Sequence, residues 1–149
     1  MSFRSFALPD PETQAEFYKD VTTKRLIAWF VDVALIAVVC VVVLPFTAFT
    51  GIFFFPALMA VVGFAYRVLT LASGSATWGM RLMSIEMRRQ TGDRFDFATA
   101  LLHTIGFYVS VAITPLQLIS IVLMLSSSRA QGLTDHVMGT VAINRIARY

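Results

Sequence analysis

Three titratable side chains lie inside apolar stretches of this sequence, where an uncompensated charge is costly. Asp32 follows "RLIAWFV", Arg67 follows "GFAY", and His103 lies within an uncharged tract. If each stretch is a membrane helix with one end on a common side, a rise of ~1.5 Å per residue puts Asp32 ~12 Å, Arg67 ~7.5 Å and His103 ~9 Å deep. The sequence therefore predicts one buried polar layer in which Asp32 pairs with Arg67.

Two interpretations of this layer stay open. An Asp–Arg pair with a nearby histidine can simply fix helix register, or it can serve transport or sensing, with His103 as the proton switch. Both Arg67 and His103 belong to stripes of small and polar residues with helical spacing, which predicts that they face other helices. The stripes are Gly63, Arg67, Thr70, Gly74 and Thr99, His103, Gly106, Ser110.

Sequence motifs of enzymes are missing. The chain has no GxSxG, HExxH, CxxC or glycine-rich phosphate loop, which are the patterns of common hydrolase, zinc, redox and nucleotide sites. His103 and His136 are far apart in sequence, and no cysteine is near either. We therefore expect a non-enzymatic protein without a metal or another cofactor. The single cysteine, Cys40, excludes an intramolecular disulfide.

Charge placement predicts the fold class. Of 149 residues, 57% are hydrophobic and 14% are charged, against about a quarter charged in soluble domains. Residues 33–66 and 97–128 contain no charge, and each tract exceeds the ~20 residues needed to span a bilayer. An all-α integral membrane protein is predicted. The net charge of +3 comes from basic clusters beside these tracts, which does not favour nucleic-acid binding.

The predicted elements are two full transmembrane helices, about 24–44 and 52–72, followed by a third apolar tract that Pro115 interrupts. That tract is either one long kinked helix or a hairpin of helices 97–114 and 116–128 that returns to the starting side. Basic residues after the tract, beginning with Arg129, favour the hairpin. By the same rule the N-terminus is expected in the cytoplasm, and the host membrane is expected to be a bacterial inner membrane.

Two regions outside the helices carry weaker patterns. Residues 1–23 read as a cytoplasmic or interfacial lead before the domain of residues 24–149, with Asp10 and Pro11 opening a short helix through about Val21. In "LMSIEMR" and "GTVAINR" apolar and polar residues alternate, which is a strand period. The two segments are predicted to pair as a small cytoplasmic ribbon.

Three stretches together resemble the RDD family of membrane proteins, which is named for one arginine and two aspartates. In "RLIAWFVD" the arginine and first aspartate correspond to Arg25 and Asp32. "TWGMRLMSI" resembles the family's G-x-R-L-x-x-I segment, and "QGLTDHVMGTVAI" carries the second aspartate. The matching residues there are Gly79, Arg81, Leu82, Ile85, Asp135, Gly139 and Thr140. The chain departs from the family pattern at Ser75-Ala76, Met80 and His136.

The resemblance implies that Arg25, Arg81 and Asp135 matter on the cytoplasmic face. An exposed ion pair there would contribute only ~0–1 kcal/mol. We therefore expect Asp135 to be partly buried, bonding Arg25 or Arg81 and free backbone N–H groups. It would lock the C-terminal segment onto the start of the first helix and form, with Asp32, a polar path to the buried layer.

Two functions remain open at the sequence level. One is transport of ions or small solutes through the layer of Asp32, Arg67 and His103, which the family resemblance also suggests. The other is a non-catalytic accessory or assembly subunit of a larger membrane complex. Because the chain has few helices for a translocation path of its own, the expected partners besides the lipid bilayer are further copies of itself or a larger complex.

Overall fold

Two long apolar helices form the part of the molecule that is able to cross a membrane. The computed structural model describes residues 8–145. Helices α1 (Val21–Val43) and α2 (Phe55–Gly74) are both long and apolar enough to span a bilayer. Large apolar side chains on their outer surfaces are exposed, such as Phe30 at 59% and Val61 at 69%. Such surfaces suit lipid, and the two long apolar helices that the sequence predicts are confirmed as candidate membrane spans.

The link between these helices is longer than predicted. It contains two short 3-10 helices, Leu44–Thr47 and Thr50–Ile52, and the chain reverses between them where Ala48 and Phe49 adopt positive φ. Pro56 lies in the first turn of α2, where a residue without an N–H group is tolerated. Helix α2 therefore begins at Phe55 and not at residue 52.

The third apolar tract is bent next to Pro115, and whether it crosses the membrane once or returns stays a prediction. Helix α4 (Phe97–Ala112) ends at Ile113, whose backbone is extended, and helix α5 (Thr114–Ser126) begins at once. The two helices are bent by 115° relative to each other. Pro115 lies in the first turn of α5, because it cannot donate the hydrogen bond that would continue α4.

The two predicted strands pair. Strand β1 (Ile85–Arg88) and strand β2 (Val141–Asn144) form an antiparallel ladder in which Ile85 is opposite Asn144 and Met87 is opposite Ala142. Two short helices precede them, α3 (Trp78–Leu82) and α6 (Leu133–Met138). Because Ile85, Met87 and Ala142 are all fully buried, the ribbon joins the main hydrophobic core.

The predicted helix through Val21 in the N-terminal lead is wrong. Oδ1 of Asp10 accepts the backbone N–H groups of Glu12 and Thr13, but only a 3-10 helix, Ala15–Phe17, follows. Asp20 then adopts positive φ, which interrupts helical geometry before α1. The first seven residues of this predicted cytoplasmic or interfacial lead lie outside the described residues.

The lead packs on the ribbon. Leu8, Phe17 and Tyr18 form an apolar cluster with Val141 and Ile143 of β2. A buried asparagine fastens this cluster: the Asn144 amide donates to the Glu16 and Lys19 carbonyls and accepts a hydrogen bond from the Lys24 ammonium.

Candidate functional site

Asp135 is the centre of a buried polar cluster. Its carboxylate is 1% exposed and accepts four hydrogen bonds. Oδ2 accepts from Arg25 Nη1 at 2.6 Å and from the Gly132 backbone N–H at 3.1 Å. Oδ1 accepts from His103 Nε2 at 2.8 Å and from Thr140 Oγ1 at 2.7 Å. Both oxygens are thus fully satisfied.

The charge state of Asp135 follows from these contacts. Burial alone would raise the pKa of this carboxyl group, but the Arg25 guanidinium and the hydrogen bond from His103 hold it well below its usual range. The carboxylate is therefore ionised at neutral pH. An ionised carboxylate only accepts hydrogen bonds, so Nε2 of His103 carries a proton.

The cluster joins the C-terminal segment to the beginning of α1, where the lock was predicted, and also to α4, which was not predicted. Arg25 comes from α1, His103 from α4, and Thr140 lies directly before β2. Of the two arginines predicted to meet Asp135, the partner is Arg25. Arg81 instead donates to the Ala76 and Thr70 carbonyls, where it satisfies free carbonyl groups at the C-terminal end of α2.

Asp32 is the second buried carboxylate, and neutral groups satisfy it. It is 3% exposed and accepts hydrogen bonds from Tyr66 Oη at 2.6 Å, Thr77 Oγ1 at 2.7 Å and the Gly79 backbone N–H at 2.9 Å. Tyr66 Oη in turn accepts the Trp78 N–H. The carboxylate thus binds the start of helix α3 against the middle of α1.

Local sequence explains why α3 reaches Asp32. Thr77 is the N-cap of this helix, and its hydroxyl oxygen accepts the Met80 N–H at 3.2 Å while donating to Asp32. A Cβ at Gly79 would lie 2.3 Å from the Ala28 carbonyl oxygen and 2.7 Å from Asp32 Oδ1. Only glycine therefore allows the backbone of α3 to approach α1 closely enough for the hydrogen bond.

The predicted ion pair between Asp32 and Arg67 is wrong. Within residues 8–145 the guanidinium of Arg67 forms no salt bridge, although the side chain is 6% exposed. Its Nε is buried without a hydrogen-bond partner, and its Cζ lies 4.0 Å from the centre of the Phe107 ring. Asp32 takes its three donors from α2 and α3, so its carboxylate is already coordinated without the arginine.

The three residues of the predicted polar layer do meet, but around a cavity and not through mutual hydrogen bonds. A cavity of about 500 Å³ is bounded by Asp32, Arg67 and His103, and also by Arg25 and Asp135. A second cavity of about 240 Å³ shares Asp32 and Arg67 with it. The sequence predicts a polar path between Asp135 and Asp32. In the structure both residues line the same cavity, and the rest of its lining is mainly apolar.

The two small-residue stripes face inward, as predicted. Helices α2 and α4 pack against each other, and a Cβ at Gly63 would lie 2.6 Å from Tyr108 Oη. A Cβ at Gly106 would lie 2.6 Å from Thr134 Cγ2 of α6. In the part of the chain that the structure describes, no three His, Cys, Asp or Glu side chains are grouped as a metal site would require.

The fold and these buried clusters define a mainly helical protein with two helices that are long and apolar enough to cross a membrane. The RDD family model matches residues 21–139, and the chain belongs to the RDD family. The match covers Arg25, Asp32, Arg81 and Asp135. No curated protein and no solved structure matches the chain.

Several residues of the two clusters are missing from the sequence-level set of site residues. Tyr66 directly precedes Arg67, but the sequence does not show that its hydroxyl, and not the neighbouring arginine, reaches Asp32. Thr77 before "WGM" has the character of an N-cap, which is a usable signal. Phe107 lies one helical turn after His103 and carries no signal beyond that spacing.

The first prediction concerns Asp135. We expect Asp135→Asn to lower the free energy of unfolding by about 3–5 kcal/mol, because Arg25 is left with an uncompensated buried charge. In limited proteolysis, cleavage after Arg129 should be faster. Asp93→Asn, on an exposed turn, is the matched control and should change neither measurement.

The effect of Asp135→Asn should also depend on pH. A carboxyl group with a lowered folded-state pKa stabilises the fold above its unfolded pKa of about 3.9, and this contribution is lost as the pH falls. The difference in thermal stability between wild type and variant should therefore be full near neutrality and shrink below about pH 4. A difference that stays constant through this range would contradict an ionised Asp135.

The second prediction compares two double-mutant cycles. The pair Asp32→Ala and Thr77→Ala should show a coupling energy of about 0.5–3 kcal/mol, because their hydroxyl–carboxylate bond is buried. The pair Asp32→Ala and Arg67→Ala should show a smaller coupling. Chemical unfolding in detergent measures both cycles. If the Asp32–Arg67 coupling were larger than the Asp32–Thr77 coupling, Asp32 and Arg67 would form an ion pair after all.

Proposed function

We propose that this protein is a non-enzymatic membrane protein that takes part in transport of an ion or small solute. The observation that carries the proposal is the guanidinium of Arg67, which is buried beside the 500 Å³ cavity. Within residues 8–145 it forms no salt bridge, and its Nε has no hydrogen-bond partner. Charged groups inside membrane segments are costly and typically mark a pathway for solutes or ions. A merely structural arginine would be expected to have a carboxylate partner.

The cavity walls suit a transported solute. Arg25 and Asp135 neutralise each other on one side of the cavity, and Asp32 is held by three neutral donors. The wall therefore presents one carboxylate and one guanidinium, Asp32 and Arg67, that do not neutralise each other by contact. These two groups would sense a solute charge or a membrane potential.

For the orientation we propose that the N-terminal lead, the ribbon and the C-terminal end of α5 lie on the cytoplasmic side of an inner membrane. The basic residues near the ribbon support it. Pairing of β1 with β2 supports a return of the third tract at Ile113, since the two strands flank that tract and must lie on one side of the membrane.

The third prediction tests this orientation in a Cys40→Ser background. A membrane-impermeant maleimide added to intact spheroplasts should label Phe53→Cys, which is in the exposed link between α1 and α2. It should label Thr91→Cys and Ser128→Cys only after lysis. Labelling of Ser128→Cys before lysis would mean that α4 and α5 cross the membrane as one span.

The fourth prediction tests transport itself. Purified protein in liposomes should give transient currents on a solid-supported membrane after concentration jumps of at least one of sodium chloride, potassium chloride, protons or sodium lactate. Asp32→Asn should remove most of this current, because it deletes a charge of the cavity wall. Arg94→Gln, whose side chain is 62% exposed, is the matched control and should keep it.

The alternative is an accessory subunit of a larger membrane complex. The strongly exposed aromatic side chains of the α1–α2 link, Phe46 at 85% and Phe53 at 83%, favour it because aromatic residues are enriched where proteins bind. Absence of all protein-dependent currents, together with stoichiometric co-purification of one larger complex in mild detergent, would replace the transport proposal by this one.

A further inference from the structure

The guanidinium of Arg67 has no carboxylate within salt-bridge distance among the described residues. The side chain is 6% exposed, and its Nε has no hydrogen-bond partner. Both buried carboxylates nearby are engaged elsewhere: Asp135 by Arg25 and His103, and Asp32 by Tyr66, Thr77 and Gly79. A buried cation without a partner costs free energy, which a bound anion would offset.

The guanidinium of Arg67 has N–H groups to spare for a ligand. It carries five N–H groups in a fixed fork, and its Cζ lies 4.0 Å from the centre of the Phe107 ring. Both cavities border Arg67. A carboxylate in the larger cavity can therefore accept hydrogen bonds from the guanidinium, and a bidentate pair is the geometry that such a fork favours.

The rest of the larger cavity is suited to a hydrocarbon body. Its volume of about 500 Å³ falls within the ~300–1,000 Å³ of typical small-molecule sites. Most of its lining is apolar, with the side chains Leu26, Met80, Phe107, Val111, Ile121 and Met124 among those that border it. A strongly hydrated inorganic anion would lose its water shell against these groups without compensation.

We propose that this cavity binds a small apolar carboxylate, with Arg67 holding the carboxylate and the apolar wall holding the acyl chain. The proposal names a solute class for the transport function proposed above and rests on that function for any movement across the membrane. Binding is a separate equilibrium property. The carboxylate could belong to a free acid from the aqueous phase or to a fatty acid of the membrane, since both present the same group.

The test is octanoate binding followed by tryptophan fluorescence in phosphatidylcholine nanodiscs. Trp29 borders both cavities, and a Trp78→Phe background leaves it as the single tryptophan reporter. Octanoate should change its fluorescence saturably, with empty nanodiscs as the blank. Arg67→Met should weaken binding by about ten- to a hundredfold, the size expected for a lost charged hydrogen-bond pair, whereas Arg94→Gln should bind like wild type.

Companion ligands and variants separate recognition from folding. Octanol should bind wild type and Arg67→Met equally weakly, because only the carboxylate uses Arg67. Arg67→Met should unfold at the same temperature as wild type or a higher one without ligand, since it removes an uncompensated buried charge. If it does not fold, Val111→Phe, which narrows the cavity beside Phe107 but keeps Arg67, should weaken octanoate binding.

Three outcomes would overturn the inference. In the fluorescence titration they are equal octanoate affinity of wild type and Arg67→Met, or equal affinity of wild type for octanoate and octanol. In native mass spectrometry it is a co-purified phospholipid that octanoate cannot displace. Displacement of a co-purified fatty acid would support the membrane source. The liposome experiment is repeated with a sodium octanoate jump added. Octanoate binding without any current would then retain this site and remove transport, and currents without octanoate binding would do the reverse.

Discussion

The compensation of one buried carboxylate, Asp135, determines how the parts of this fold meet. An ionised carboxylate without water needs a donor at nearly every acceptor position, and here the four donors come from four separate places in the chain. Arg25 fixes the beginning of α1, His103 fixes α4, Gly132 fixes the start of α6, and Thr140 fixes the entry to β2. Because Thr140 directly precedes β2, this hydrogen bond also fixes where β2 begins.

Asp32 meets the same requirement without a cation. Its donors are two hydroxyl groups and one backbone N–H, and they hold α3 and the end of α2 against α1. This arrangement explains in physical terms why a glycine is needed at residue 79 and why Thr77 caps α3. It also leaves Arg67 with its charge facing a cavity, and this is the feature on which both functional proposals rest.

Much of the architecture could be predicted because bilayer thickness and strand alternation leave few choices. The two spans, the break at Pro115 and the β1–β2 ribbon follow from such patterns. A buried Asp135 bonded to Arg25 or Arg81 could be predicted, since an exposed pair would contribute too little to matter, but the choice between the two arginines could not.

The rest depended on information that a single sequence lacks. Depth along a helix follows from residue count, but the direction of a side chain around the helix axis depends on packing, so Asp32 was assigned to Arg67 and not to Tyr66. Helix α3 has only five residues and is too short for a periodic pattern to reveal. The predicted helix in the N-terminal lead was wrong for a related reason. Its capped first turn is present, but the left-handed backbone of Asp20 separates the lead from α1.

The central claim is that the buried arginine and aspartate side chains form one ion pair, Arg25–Asp135, and leave Arg67 without a carboxylate partner. Solid-state NMR in lipid tests it most directly, through dipolar coupling between labelled arginine side-chain nitrogens and labelled aspartate carboxyl carbons. We expect a strong short-range coupling that Arg25→Lys removes and that Arg67→Lys leaves unchanged. Loss of a comparable coupling in Arg67→Lys would show that Arg67 forms an ion pair with Asp32 and would contradict the account.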